Sequence, residues 1–111
     1  MPARLCQMAA QPWADGKRVM VSFAWEGEGP VDVEIILFSA MNDVWARMLI
    51  VELNAPRWDA TLHVRGAPPG AEGVAQVRLL KGDDEVDCRA EPFALPVQLS
   101  APPSDSALPS D

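Results

Sequence analysis

Between residues 77 and 95 the chain reads VRLLKGDDEVDCRAEPFAL, with acids at Asp83, Asp84, Glu85, Asp87 and Glu91. Carboxylates this close are the raw material of a cation site. Calcium, however, takes roughly six to eight converging oxygens, and DDEVD lacks the alternating D-x-D-x-D-G spacing that supplies them. On a strand, Glu85 and Asp87 share one face and Asp84 takes the other, so only Asp83 and Asp84 at the tip could meet one ion. The expectation is a solvated hairpin whose charge discourages edge-to-edge pairing. Asp84-Glu85-Val86-Asp87 also resembles a caspase recognition tetrapeptide. Cleavage needs an extended, mobile segment, and a paired strand resists that.

His63 is the single histidine. On a strand it shares a face with Thr61 and Asp59, successive members standing about 7 Å apart. A nucleophile–base pair needs reach near 3 Å, so no catalytic residue is assigned. An enzyme reading would rest on His63 and Asp59 alone. One histidine and two distant cysteines, Cys6 and Cys88, supply no familiar zinc spacing. GAPPGAEG (66–73) has prolines where a phosphate cradle needs N–H groups, and no lysine follows it. No metal and no cofactor is expected.

Four tryptophans remain. Trp25 and Trp58 fall on apolar faces and are expected in the core. Trp13 and Trp45 are freer. If they lie on the surface with Phe38, Met41 and Met48, these five residues form an apolar patch of the kind that marks a partner interface. The expected partner is another protein or a second copy of this chain. The alternative is a carbohydrate- or small-ligand-binding site with Trp13 or Trp45 as its platform.

The elements that would position these residues read as strands. In RVMVSFAWE, Val19, Val21, Phe23 and Trp25 share one face and Arg18, Ser22 and Glu26 the other. GEGP (27–30) is a turn, and VDVEIILF resumes the alternation with Val31, Val33, Ile35 and Leu37 inward and Asp32 and Glu34 outward. Ile35 to Phe38 is apolar on both faces, which indicates a strand covered on two sides or a bulge. Residues 41–53 fit two patterns. Met41, Val44, Trp45, Met48 and Leu49 make a helical stripe that Asn42 or Asp43 could cap, whereas LIVEL has strand composition; a strand over 44–53 is favoured. RWDATLHVR alternates again, placing Trp58, Ala60, Leu62 and Val64 together. VAQVRLLK and EVDCRA flank KGDD as a β-hairpin, with Cys88 inward beside Val86, Pro92 breaking the strand and FALPVQL resuming it. A short edge strand is expected near residues 5–9.

About seven short strands with turns between them predict an all-β fold, a two-layer antiparallel β-sandwich. The expected organisation is an N-terminal segment over 1–16, the sandwich over 17–99 and a disordered Pro/Ser/Asp tail over 100–111. With 111 residues, one domain can build a core without staples. A net charge of −7 and scattered lysines and arginines argue against nucleic acid. Polar residues interrupt the N-terminus where a secretory leader would be apolar, and no run reaches the roughly 20 apolar residues of a membrane span. The expectation is a cytoplasmic protein with both cysteines as thiols; export after removal of a leader would permit a Cys6–Cys88 bridge.

VSFAWEGEGPVDVEIILF as a strand–turn–strand pair, the Trp58 strand, and GVAQVRLLKGDDEVDCRAEPFAL as a closing hairpin together resemble the immunoglobulin/fibronectin type III class of sandwiches. The chain lacks tyrosine, so it has no tyrosine corner, and Cys6 lies too early for the antibody disulfide. The resemblance implies a non-enzymatic Ig-like module that binds, spaces or scaffolds.

Overall fold

The computed structural model describes residues 1–97, and every regular element in it is a strand. The expected tail over 100–111 and the last residues of FALPVQL, 98 and 99, lie outside the described residues. The strands are β1 (Arg4–Pro12), β2 (Arg18–Glu26), β3 (Val31–Ser39), β4 (Val44–Leu53), β5 (Arg57–His63), β6 (Glu72–Lys81) and β7 (Asp84–Ala94). They form a three-stranded sheet in the order β1-β2-β5 and a four-stranded sheet in the order β4-β3-β6-β7, antiparallel throughout. The fold is the two-layer all-β sandwich that the alternation requires.

Alternation decides the core. Val19, Val21, Phe23 and Trp25 of β2 meet Val31, Val33, Ile35 and Leu37 of β3 and Ala75, Val77 and Leu79 of β6, all buried. Each large apolar side chain removed from water contributes about 1.5–3 kcal/mol. Residues 44–53 are a strand, as favoured. The turn before it settles the capping question: Asn42 adopts the left-handed region (φ 69°), and Ser39 Oγ accepts the Met41 and Asp43 amides at 3.1 and 3.0 Å. Asn42 and Asp43 therefore sit in a tight β-turn rather than at a helix start.

Several expectations are corrected. β1 spans nine residues and pairs with β2 along its length, so it is longer than a short edge strand. Pro92 does not break β7; it sits opposite Val74 in an edge strand, where a missing N–H is tolerated. Glu85 and Asp87 do not share a face. The register shifts between Leu79 and Leu80, so Leu79 faces Asp87 while Leu80 faces Glu85, and Val86 is the extra residue of a bulge. The same shift places Cys88 opposite Arg78 on the outer side of the sheet, half-buried, instead of in the core. Both cysteines are free.

Tryptophan placement also differs. Trp25 is buried, and its Nε1 donates to Ala55 O at 2.8 Å. Trp58 points inward in register with Phe23 but remains 41% exposed, because it lies near the end of β5, which among the described residues is an edge strand with no neighbour to cover the ring. Trp45 is 7% exposed and packs edge-to-face on Phe93, with ring centroids 6.1 Å apart. Gly73 makes room for it: a Cβ there would lie 2.4 Å from the indole.

Candidate functional site

The five residues of the expected patch do not share a surface. Trp45 is in the core and Met48 packs against it. Phe38 is half-buried and Met41 is 83% exposed, both on or beside the four-stranded sheet. Trp13 follows β1, at the end of the other sheet, 39% exposed, with the Arg18 guanidinium 4.1 Å from its ring centroid. Alternation on β4 is offset by register shifts at both ends, and this turns Trp45 inward.

The acid-rich hairpin has structural partners. Gly82, at the turn, takes φ 61°. Glu85 accepts from Arg78 at 2.7 Å. Asp87 accepts from the Leu5 amide at 2.7 Å and from its own neighbour, the Cys88 amide, at 2.8 Å. No group of three or more potential metal ligands occurs among the described residues. His63, Thr61 and Asp59 all project outward from β5 and are exposed.

On the outer face of the four-stranded sheet a charge ladder crosses all four strands. Arg47 of β4 and Arg78 of β6 both donate to Glu34 of β3, and Arg78 also donates to Glu85 of β7. Glu34 is only 4% exposed although its strand face looks to solvent, because the two guanidiniums roof it. The Arg47 hydrogen bond, helped by Arg78 and opposed by burial, holds its carboxyl below the usual carboxylate range. This arrangement is an architectural clamp. Sequence reasoning placed Glu34 outward but could not supply its partners, which lie 13 and 44 residues away.

Beside the ladder, Val44, Leu49 and Val51 of β4 are exposed. Among the described residues β4 pairs only with β3 and is an edge. At its start the Arg65 amide donates to Trp45 O at 3.3 Å.

The outer face of the three-stranded sheet has a different character. Registers align Gln7–Ala24–Arg57, Ala9–Ser22–Asp59 and Gln11–Met20–Thr61 as three rungs. The first two rungs floor a groove of about 510 Å³, which Cys6 and Arg89 also line. Farther along the same face, Gln11, Met20 and Trp13 line a second hollow of about 470 Å³. This grouping of side chains was not legible in the sequence, because each rung draws on three separate strands.

No family model and no curated protein matches the chain. Among solved structures, the β-glucuronidase of Ruminococcus gnavus is similar at 14% identity over 86% of this chain and 16% of that one, with a TM-score of 0.61. The β-glucuronidase of Lactobacillus rhamnosus is similar at 16% identity over the same shares, with a TM-score of 0.59. The chain spans about one-sixth of the length of these enzymes, and the likeness is one of fold. Among the described residues no helix is long and apolar enough to cross a membrane.

Proposed function

We propose that the chain is a non-enzymatic accessory module of the immunoglobulin-like kind, which docks on another protein through the β4 side of its four-stranded sheet. The observation that carries this reading is the row Val44, Leu49 and Val51, three exposed apolar side chains on a strand that, among the described residues, pairs on one side only. An open edge accepts an extended strand from a partner, and alternate side chains give that pairing its register. Without a partner, such a row is an aggregation hazard. The fold likeness to a portion of two β-glucuronidases supports a module that serves a larger machine. The exposed, widely set His63 and Asp59 support a non-catalytic role.

Co-purification from the native source tests the reading. The wild-type chain retains a protein partner, and Leu49→Lys with Val51→Lys loses it while keeping the wild-type circular dichroism spectrum. A chain that stays alone and monomeric, or a variant that retains the partner, overturns it.

A further inference from the structure

We propose that the outer face of the three-stranded sheet is a binding track for an acidic oligosaccharide, with Arg57 and Arg89 receiving a carboxylate at one end and Trp13 receiving a sugar ring at the other. This inference does not depend on the β4 docking reading, since it concerns the opposite sheet.

Charge carries the first part. The chain has nine lysines and arginines and a net charge of −7. Arg4, Arg18, Arg47 and Arg78 are all engaged by carboxylates. Arg57 and Arg89 have no ion-pair partner among the described residues, yet both line the same groove, Arg57 from β5 and Arg89 from β7. Among the described residues the carboxylate that lines it is Asp59. The two guanidiniums outnumber that carboxylate, so the groove lining is net positive on an acidic protein, although Asp87 and Glu91 flank Arg89 on its face of β7, and a concave lining of net positive charge concentrates anionic ligands. Guanidinium forks match carboxylate geometry and pair with it in bidentate fashion.

The remaining lining selects the rest of the ligand. Ala9 and Ala24 keep the floor low, and Gln7, Ser22 and Asp59 offer donors and acceptors that suit hydroxyl groups. The negative charge of Asp59 repels a dianionic phosphate more strongly than a hydroxylated ring that carries a single carboxylate, the unit of a uronate oligosaccharide. Strand rise along β1 puts Trp13, which follows its last residue and lines the second hollow, about 20 Å from Gln7. Its indole is held by Arg18 at 4.1 Å, which Asp15 in turn holds at 2.9 Å. An aromatic ring fixed on one side presents an apolar surface to a sugar face. Backbone groups within the face are consumed by the sheet, so it offers side chains only. A peptide seeking main-chain hydrogen bonds finds them at an edge strand, whereas a saccharide reads side chains.

The test is titration of the full chain with tetragalacturonate, followed by calorimetry and by amide chemical shifts. Saturable binding is expected, with shifts at Gln7, Ala9, Ser22 and Arg57 and at Ala14 beside the ring. Arg57→Gln with Arg89→Gln weakens it about tenfold or more, and the methyl-esterified tetramer is weakened alike. Trp13→Ala weakens the tetramer several-fold, by about the value of one stacked ring, while leaving monomeric galacturonate unchanged. All three side chains lie outside the core, so these variants fold. The proposal is overturned by absence of binding at about 10 mM ligand, by equal binding of the esterified tetramer or of inorganic phosphate, by a monomer that binds as tightly as the tetramer, or by shifts confined to the other sheet.

Discussion

The carboxylate of Asp87 on β7 accepts the backbone N–H of Leu5 on β1 at 2.7 Å, joining the edges of the two sheets across 82 residues of sequence. The bulge at Val86 makes this possible, because it turns Asp87 away from the face that Glu85 shares with Arg78. An edge amide that would otherwise face the sheet junction alone is thereby satisfied, and the sandwich is closed along that side. Asp87→Ala is expected to cost about 1–3 kcal/mol, the penalty of a part-buried donor left without its acceptor. Urea unfolding should show a lower midpoint with an unchanged slope. Faster hydrogen exchange at the Leu5 amide is the local signature.

Glu34 gives the stability a definite pH dependence. Its folded pKa lies below its unfolded value, chiefly through the Arg47 hydrogen bond. A group of this kind binds protons more readily in the unfolded chain, so its contribution is fully present above the ordinary carboxylate range and is lost as pH falls through that range toward the folded value. Wild-type stability should therefore decline on acidification in this window. Glu34→Gln should cost about 1–3 kcal/mol near neutral pH and show a shallower acid decline. Thermal unfolding of both proteins from pH 7 to pH 3 measures the difference.

The strands were legible because their faces differ. β2 and the first half of β3 carry a recognisable apolar alternation, and residues 44–53 have β-branched and aliphatic composition that outweighs a helical stripe. What the sequence concealed was register. A single inserted residue in one partner exchanges the faces of everything beyond it, and no local pattern marks where that happens. Cys88, Asp87 and Trp45 were all misplaced for this reason. Trp58 was misplaced for another. Its periodicity is that of the core, but periodicity says nothing about whether a strand lies at an edge. The arginine-lined groove and the Glu34 ladder needed cross-strand neighbours, which only the fold supplies.

Trp45 illustrates the packing consequence of its inward turn. Its ring fills the space above Gly73 and meets Phe93 edge-on. Trp45→Ala should cost about 3–5 kcal/mol, as for other large core truncations. Gly73→Ala should cost about 1–3 kcal/mol, because the added methyl meets the indole and the Phe38 carbonyl, at 2.4 and 2.9 Å. Trp13→Ala should leave the unfolding midpoint nearly unchanged. Had Trp45 been a surface platform, its truncation would cost as little as that of Trp13, so denaturant curves of the three proteins decide between the placements.

The two thiols should separate by reactivity. Cys6 is exposed on β1 at the rim of the groove, while Cys88 is half-buried. Burial is the main cause that pushes the Cys88 thiol above its ordinary range, and the neighbouring Glu85 carboxylate adds to it. The thiolate is the nucleophile, so both lower access and a smaller ionised fraction slow Cys88. Iodoacetamide at pH 8 should therefore label Cys6 first, and peptide mass spectrometry at short times should find Cys88 largely unmodified. In urea that lag should disappear, since unfolding removes the burial that causes it. Occupation of the groove by tetragalacturonate should slow Cys6 and leave Cys88 as it was, which makes the same reaction a readout of the proposed track.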